Sequence, residues 1–148
     1  MAQVNKYAKG LDPVEAMYRL AWALKAIQFT SYGIYLFSLG PLELSNITFI
    51  RFLLFAALFG YGQLLNAAVF KTIKKDGTYY GCRLGKKIQW VEGFPFNQVP
   101  HPQYVGSVLS FWGMAFLFYN AEHHVSLFAV AVLMTVYYTI TGYVEETM

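Results

Sequence analysis

Long apolar runs broken by short polar segments organise this chain, and four runs stand out. The first opens at Asp12-Pro13-Val14-Glu15, where Asp12 suits an N-cap, Pro13 the first helical turn and Glu15 a capping-box-like position. The pattern predicts a helix over 13–39, stopped by Gly40-Pro41. Its early turns mix Glu15, Arg19 and Lys25 with Tyr18 and Trp22, which suits a lipid headgroup zone where basic side chains snorkel. The run carries no n-region or cleavage pattern of a removable signal. The second run, 47–70, holds Arg51 near its start and no further charge until Lys71. The third, 102–119, follows His101 and is uncharged, and the fourth, 125–144, is uncharged up to Glu145-Glu146. A bilayer needs about 20 apolar residues per helix. The runs predict an all-α integral membrane protein with four transmembrane helices, the third short and little tilted.

Composition agrees. The 148 residues are 57% hydrophobic and 13% charged, with 13 Phe, 12 Tyr and 3 Trp. A soluble domain carries about 25% charged residues, so this surface is expected to meet lipid. The same numbers exclude a disordered chain and an ordinary nucleic-acid binder. The single cysteine, Cys82, excludes an internal disulfide and an all-cysteine metal site. Nine of the eleven basic residues fall in 1–19 and 71–100, whereas 40–46 and 120–124 have none. The positive-inside rule then places both termini and the 71–100 loop in the cytoplasm. His123-His124 beside Glu122 lie on the opposite face and read as a solvated interfacial cluster, so no metal is expected.

The 71–100 loop is too long for a mere connection. Tyr79, Tyr80, Trp90, Phe94 and Phe96 are too apolar for a solvated tether, so the loop is expected to fold back on the membrane face. Three further features share its depth: Gly60-Tyr61-Gly62 in the second helix, His101-Pro102 at the start of the third, and Glu145-Glu146 at the end of the fourth. Taken singly they read as tight helix packing, a proline-initiated helix and a solvated stop. Their convergence on one face points to a site.

In order and wording, Gly77-Thr78-Tyr79-Tyr80-Gly81, Gly93-Phe94-Pro95-Phe96-Asn97, His101-Pro102-Gln103-Tyr104-Val105-Gly106-Ser107 and Glu145-Glu146 resemble the phospholipid N-methyltransferase family. The wording is plant- or alga-like. The wider group includes the isoprenylcysteine carboxyl methyltransferases, which share the His-Pro-x-Tyr-x-Gly element, and the Gly-Phe-Pro-Phe-Asn run favours the phospholipid branch. The resemblance covers about residues 46–146. It implies one membrane-embedded methyltransferase domain over 1–148, S-adenosyl-L-methionine as cofactor and a phospholipid substrate held in the bilayer. The endoplasmic reticulum is the expected membrane. It also implies phosphatidylethanolamine-type acceptors, the mono- and dimethyl forms above all. Position 101 is His here, as in the carboxyl methyltransferases, where animal phospholipid enzymes tend to carry Asn. Two residues follow Glu146, so no tail is expected to complete the site. Nothing in the pattern fixes an oligomeric state.

The implied reaction is an in-line displacement in which a neutral headgroup amine attacks the cofactor's methyl carbon. Charge moves from sulfur to nitrogen, so orientation is the main task, and near-attack positioning supplies on the order of 7–11 kcal/mol. The family associates the Gly-x-Gly and Glu-Glu elements with the cofactor, which maps that role to Gly60, Tyr61, Gly62, Glu145 and Glu146. His101, Pro102, Tyr104 and Gly106 would shape the pocket where the third helix begins. Tyr80, Gly81, Phe94, Pro95 and Phe96 join the binding set, the rings offering faces to a sulfonium or methylated ammonium. His101 and Glu92 are the candidate proton acceptors. Methylation of a prenylated cysteine carboxylate and a non-catalytic four-helix protein stand as alternatives.

Overall fold

The computed structural model describes residues 12–40, 46–78, 87 and 92–147, apart from the side chains of Lys75, Asp76 and Glu146. Among these residues the protein is all-helical: α1 is Pro13–Ser38, α2 Phe49–Thr78, α3 Pro102–Leu117 and α4 His124–Thr147. They fall in two compact units, Met1–Tyr35 with Phe70–Val91 and Leu36–Val69 with Glu92–Met148.

In the first unit, α1 starts as its sequence predicts. The Asp12 carboxylate accepts from the Val14 amide at 3.3 Å, its carbonyl accepts from Ala16, and Pro13 occupies the first helical position where no amide is required. Glu15 accepts from Arg19 Nε at 3.0 Å, one turn on. The end of α2 corrects the expected boundary. The helix does not stop at 70 but continues to Thr78, with a break at Lys74 (φ 54, ψ −167). Residues 71–78 therefore belong to a helix rather than to the loop expected over 71–100. Val69 and Ile73 are both buried and lie one turn apart, which carries the helical stripe past the first lysine. Charge marked the end of the apolar run, not the end of the helix.

In the second unit, α3 and α4 run as an antiparallel pair joined by a short connection. Trp112 donates from its indole nitrogen to Thr135 Oγ1 at 3.0 Å, and Phe128 packs on Trp112 and Phe116 with ring centroids 5.8 and 5.5 Å away. On its other side α3 meets α2 through small residues. Gly62 and Gly106 approach so closely that a Cβ on Gly62 would lie 2.5 Å from the Gly106 carbonyl oxygen, and one on Gly106 2.6 Å from that of Gly62. Gln63 donates to Ser110 Oγ at 2.8 Å along the same seam. Small residues let helix backbones come together where lipid offers no hydrophobic drive.

At the far end of α3, Arg51 closes the structure. Its guanidinium donates to the carbonyls of Phe116 (3.2 Å), Leu117 (2.9 Å), Tyr119 (2.7 Å) and Asn46 (2.8 Å), and it lies over the Tyr119 ring. These include helix-end carbonyls without intrahelical partners.

Among the described residues, two segments are long and apolar enough to cross a membrane, Phe49–Lys74 and His124–Glu145. Only 17% and 22% of their most apolar windows are buried, so they are not the core helices of a soluble protein. Phe49, Ile50, Leu64, Leu133 and Ile140 are exposed on them. This is the surface of a membrane protein.

Candidate active site

Prolines fix the approach to the site. Glu92 is exposed, and Gly93–Gln98 form a turn closed by Phe96 and Asn97 amides on the Gly93 carbonyl and by Gln98 on Pro95. Within it Pro95 is buried, Phe96 half-buried and Phe94 exposed. His101 lies between Pro100 and Pro102. A residue before proline is disfavoured from right-handed helical space, and His101 sits in the left-handed region (φ 47, ψ 57) as the N-cap of α3. Its side chain does not cap the helix. Instead the imidazole stacks on Tyr104 at 5.7 Å and 19° between planes, and Tyr104 packs on Tyr138 of α4 at 5.5 Å.

The α4 side is set by a helical face. Tyr138, Gly142 and Glu145 are spaced by four and three residues, so they share one side of the helix. Gly142 leaves room for the imidazole: a Cβ there would lie 3.2 Å from His101 Cδ2. Tyr104 donates its phenolic hydrogen to Glu145 Oε1 across the pair. Glu145 stands in the last turn of α4, where the helix dipole disfavours an anion by about 0.3–1 kcal/mol and no basic residue offsets it. The tyrosine hydroxyl holds the carboxylate there. A fixed anion in such a place is suited to a cation.

Below this polar end an apolar groove of about 380 Å³ runs between α3 and α4, lined by His101, Tyr104 and Tyr138 at one end and by Val108 and Thr135 deeper in. On the α2 side, Asn66 Oδ1 is buried without a hydrogen-bond partner among the described residues, and it would lie 3.1 Å from a Cβ on Gly106. An orphaned buried acceptor costs about 1–3 kcal/mol unless something donates to it.

The structure brings together His101, Tyr104 and Glu145, and pairs Gly62 with Gly106. Pro102 is buried at the start of α3. Gly60 has no atom within 4 Å of an added Cβ, and Tyr61 is exposed, so neither packs as Gly62 does. Tyr80, Gly81 and Trp90, with most of the segment expected to fold over the membrane face, lie outside the described residues, as does the Glu146 side chain. Sequence reasoning missed Tyr138, Gly142 and Asn66. The 138/142/145 spacing was the available signal for the first two; Asn66, one turn beyond Gly62 in an apolar helix, was the signal for the third. Among the described residues no cluster of potential ligands could hold a metal.

Fold and site define a helical membrane protein with a carboxylate, an imidazole and tyrosine rings gathered at one end of a helix pair. The phospholipid methyltransferase family matches residues 50–148, and the chain belongs to that family. It is 40% identical over 107 residues to phosphatidyl-N-methylethanolamine N-methyltransferase of Arabidopsis thaliana, covering 72% of this chain and 60% of that protein. It is 45% identical over 60 residues to the Saccharomyces cerevisiae protein of the same name, covering 40% of this chain and 29% of that one. The matches span less than two thirds of either relative's length. No solved structure matches the chain.

Proposed function

We propose that this protein is an S-adenosylmethionine-dependent N-methyltransferase acting on phosphatidylethanolamine-type lipids, chiefly the mono- and dimethyl forms. The observation that carries the reading is the Tyr104-held Glu145 carboxylate beside the His101 imidazole, at the mouth of an apolar groove. Both relatives are named for phospholipid N-methylation, which favours this acceptor over a prenylated cysteine carboxylate or a non-catalytic role. The protein is one domain over 1–148 with four spans, α1 and α3 crossing the bilayer as well as α2 and α4. Both termini face the cytoplasm, and the endoplasmic reticulum is the membrane. Lysine and arginine distribution supports that orientation.

The donor set fits the cofactor. When bound, S-adenosylmethionine supplies an electrophilic methyl group on a sulfonium centre. Glu145 and Glu146 would hold its amino group or ribose hydroxyls by charge-assisted hydrogen bonds, and the orphaned Asn66 Oδ1 would accept from a cofactor N–H or O–H. Gly60 and Tyr61 would border it on the exposed side of α2, with Gly106 where α3 begins. Tyr80, Gly81, Phe94, Pro95 and Phe96 would close the binding set from the connection. Of the two candidate proton acceptors, His101 lines the groove and would take the ammonium proton on an imidazole nitrogen, while Glu92 is exposed in front of the turn.

Two variants test this. Glu145→Gln keeps shape and removes charge, and is expected to weaken S-adenosylhomocysteine binding about tenfold in calorimetry with the unfolding midpoint retained. Unchanged affinity would remove Glu145 from the cofactor. Gly142→Ala adds helix propensity worth about 1 kcal/mol, so unfolding should shift upward or stay level. Its Cβ presses on His101, and turnover is expected to fall about tenfold. Full turnover would detach the imidazole's position from the chemistry.

A further inference from the structure

The groove between α3 and α4 is walled by aromatic rings. Its wall carries three rings in sequence, His101 stacked on Tyr104 at 5.7 Å and Tyr104 tilted against Tyr138 at 5.5 Å and 36° between planes, and Tyr138 is buried while still lining the groove. Its polar atoms are largely committed. Thr135 Oγ1 donates to the Ala131 carbonyl at 2.8 Å and accepts from Trp112, Thr139 Oγ1 donates to the Thr135 carbonyl at 2.8 Å, and the Tyr104 hydroxyl donates to Glu145.

A primary ammonium brings three N–H donors that lose water on entering such a groove. Each methyl group replaces one donor with apolar surface, which lowers the desolvation cost and improves the fit to ring faces. A wall rich in π faces and poor in acceptors therefore favours an acceptor that already carries methyl groups.

We infer that Tyr138, with Tyr104, is a specificity-determining residue that binds the methylated ammonium of the acceptor headgroup and disfavours the unmethylated amine. This rests on the phospholipid N-methyltransferase reading above. The tyrosine rings supply the discrimination, while Glu145 stays with the cofactor. The same wall accepts the fully methylated product headgroup, so a quaternary ammonium should compete with the substrate.

The test uses the full-length protein in vesicles with labelled S-adenosylmethionine and, separately, unmethylated, monomethyl and dimethyl phosphatidylethanolamine. Tyr138→Leu removes the ring, and is expected to lower kcat/KM for the dimethyl and monomethyl lipids about tenfold with a much smaller loss on the unmethylated lipid. Tyr138→Phe keeps the ring and should keep the preference. Affinity for S-adenosylhomocysteine should not change in either. An equal loss on all three lipids, or an unchanged ratio, overturns the assignment of Tyr138 alone. A wild-type protein that methylates none of the lipids overturns the broader reading and this inference with it. Should Tyr138→Leu fail to fold, inhibition of the wild type carries the test. Tetramethylammonium should inhibit turnover of the monomethyl lipid where ammonium at equal concentration does not, and equal inhibition by both overturns the proposal.

Discussion

Gly62→Ala should destabilise the protein, whereas Gly60→Ala, two residues earlier in the same motif, should not. The added methyl at position 62 would lie 2.5 Å from the Gly106 carbonyl oxygen and 2.9 Å from Ser110 Oγ. A backbone oxygen in a helix cannot swing aside, so α2 and α3 must separate. Overpacking of this kind costs about 1–3 kcal/mol, against a propensity gain of about 1 kcal/mol. Separation would also stretch the Gln63–Ser110 hydrogen bond, which adds to the loss. Gly60 opens on empty space, so alanine there gains propensity without a clash. Unfolding of both variants in mixed micelles separates the two glycines: a lower midpoint for Gly62→Ala, a level or higher one for Gly60→Ala. Cofactor binding then reads the proposed role of Gly60 without interference from stability. Equal midpoints would mean that the helix seam relaxes freely.

The second large effect lies at the opposite end of α3. Arg51→Met keeps the apolar stem and removes all the guanidinium hydrogen bonds to Asn46, Phe116, Leu117 and Tyr119. Carbonyls at a helix end lack intrahelical donors. We expect a loss of about 3 kcal/mol, because several acceptors lose a charged donor together. Arg51→Lys should recover less than half of it, since an ammonium cannot reach four carbonyls with the planar fork of arginine. Position 51 is roughly 20 Å of helix away from His101. Turnover per folded molecule should therefore stay near that of the wild type in both variants. An unshifted midpoint for Arg51→Met would show that the carbonyls find water instead.

These expectations mark where the sequence was readable. Asp12-Pro13 announced the start of α1 because capping is local, and the approach of His101, Tyr104 and Glu145 followed from motif order on antiparallel helices. The α2 boundary was misplaced because Lys71 ended the apolar run while Val69 and Ile73 carried the buried stripe onward. Arg51 looked like a stray charge on the side poor in basic residues; its use as a cap depends on carbonyls 65 to 68 residues away, which no local pattern reveals. Gly62 read equally well as a packing or a cofactor residue, and only the position of the Gly106 carbonyl distinguishes its packing. Tyr138 disappeared among twelve tyrosines until the α4 face was set against α3.

The Tyr104–Glu145 bond and the Trp112–Thr135 bond join the same two helices across sequence separations of 41 and 23. Both close through the short connection over 118–123, so the chain entropy spent in forming them is that of one hairpin. The polar end of the groove is therefore a local product of folding. Once α3 and α4 are side by side, the imidazole, the tyrosine pair and the carboxylate are in register, and a slip of one helical turn would part Trp112 from Thr135 and Tyr104 from Glu145 together. The register of the polar end is thereby checked by a tryptophan two turns further along α3.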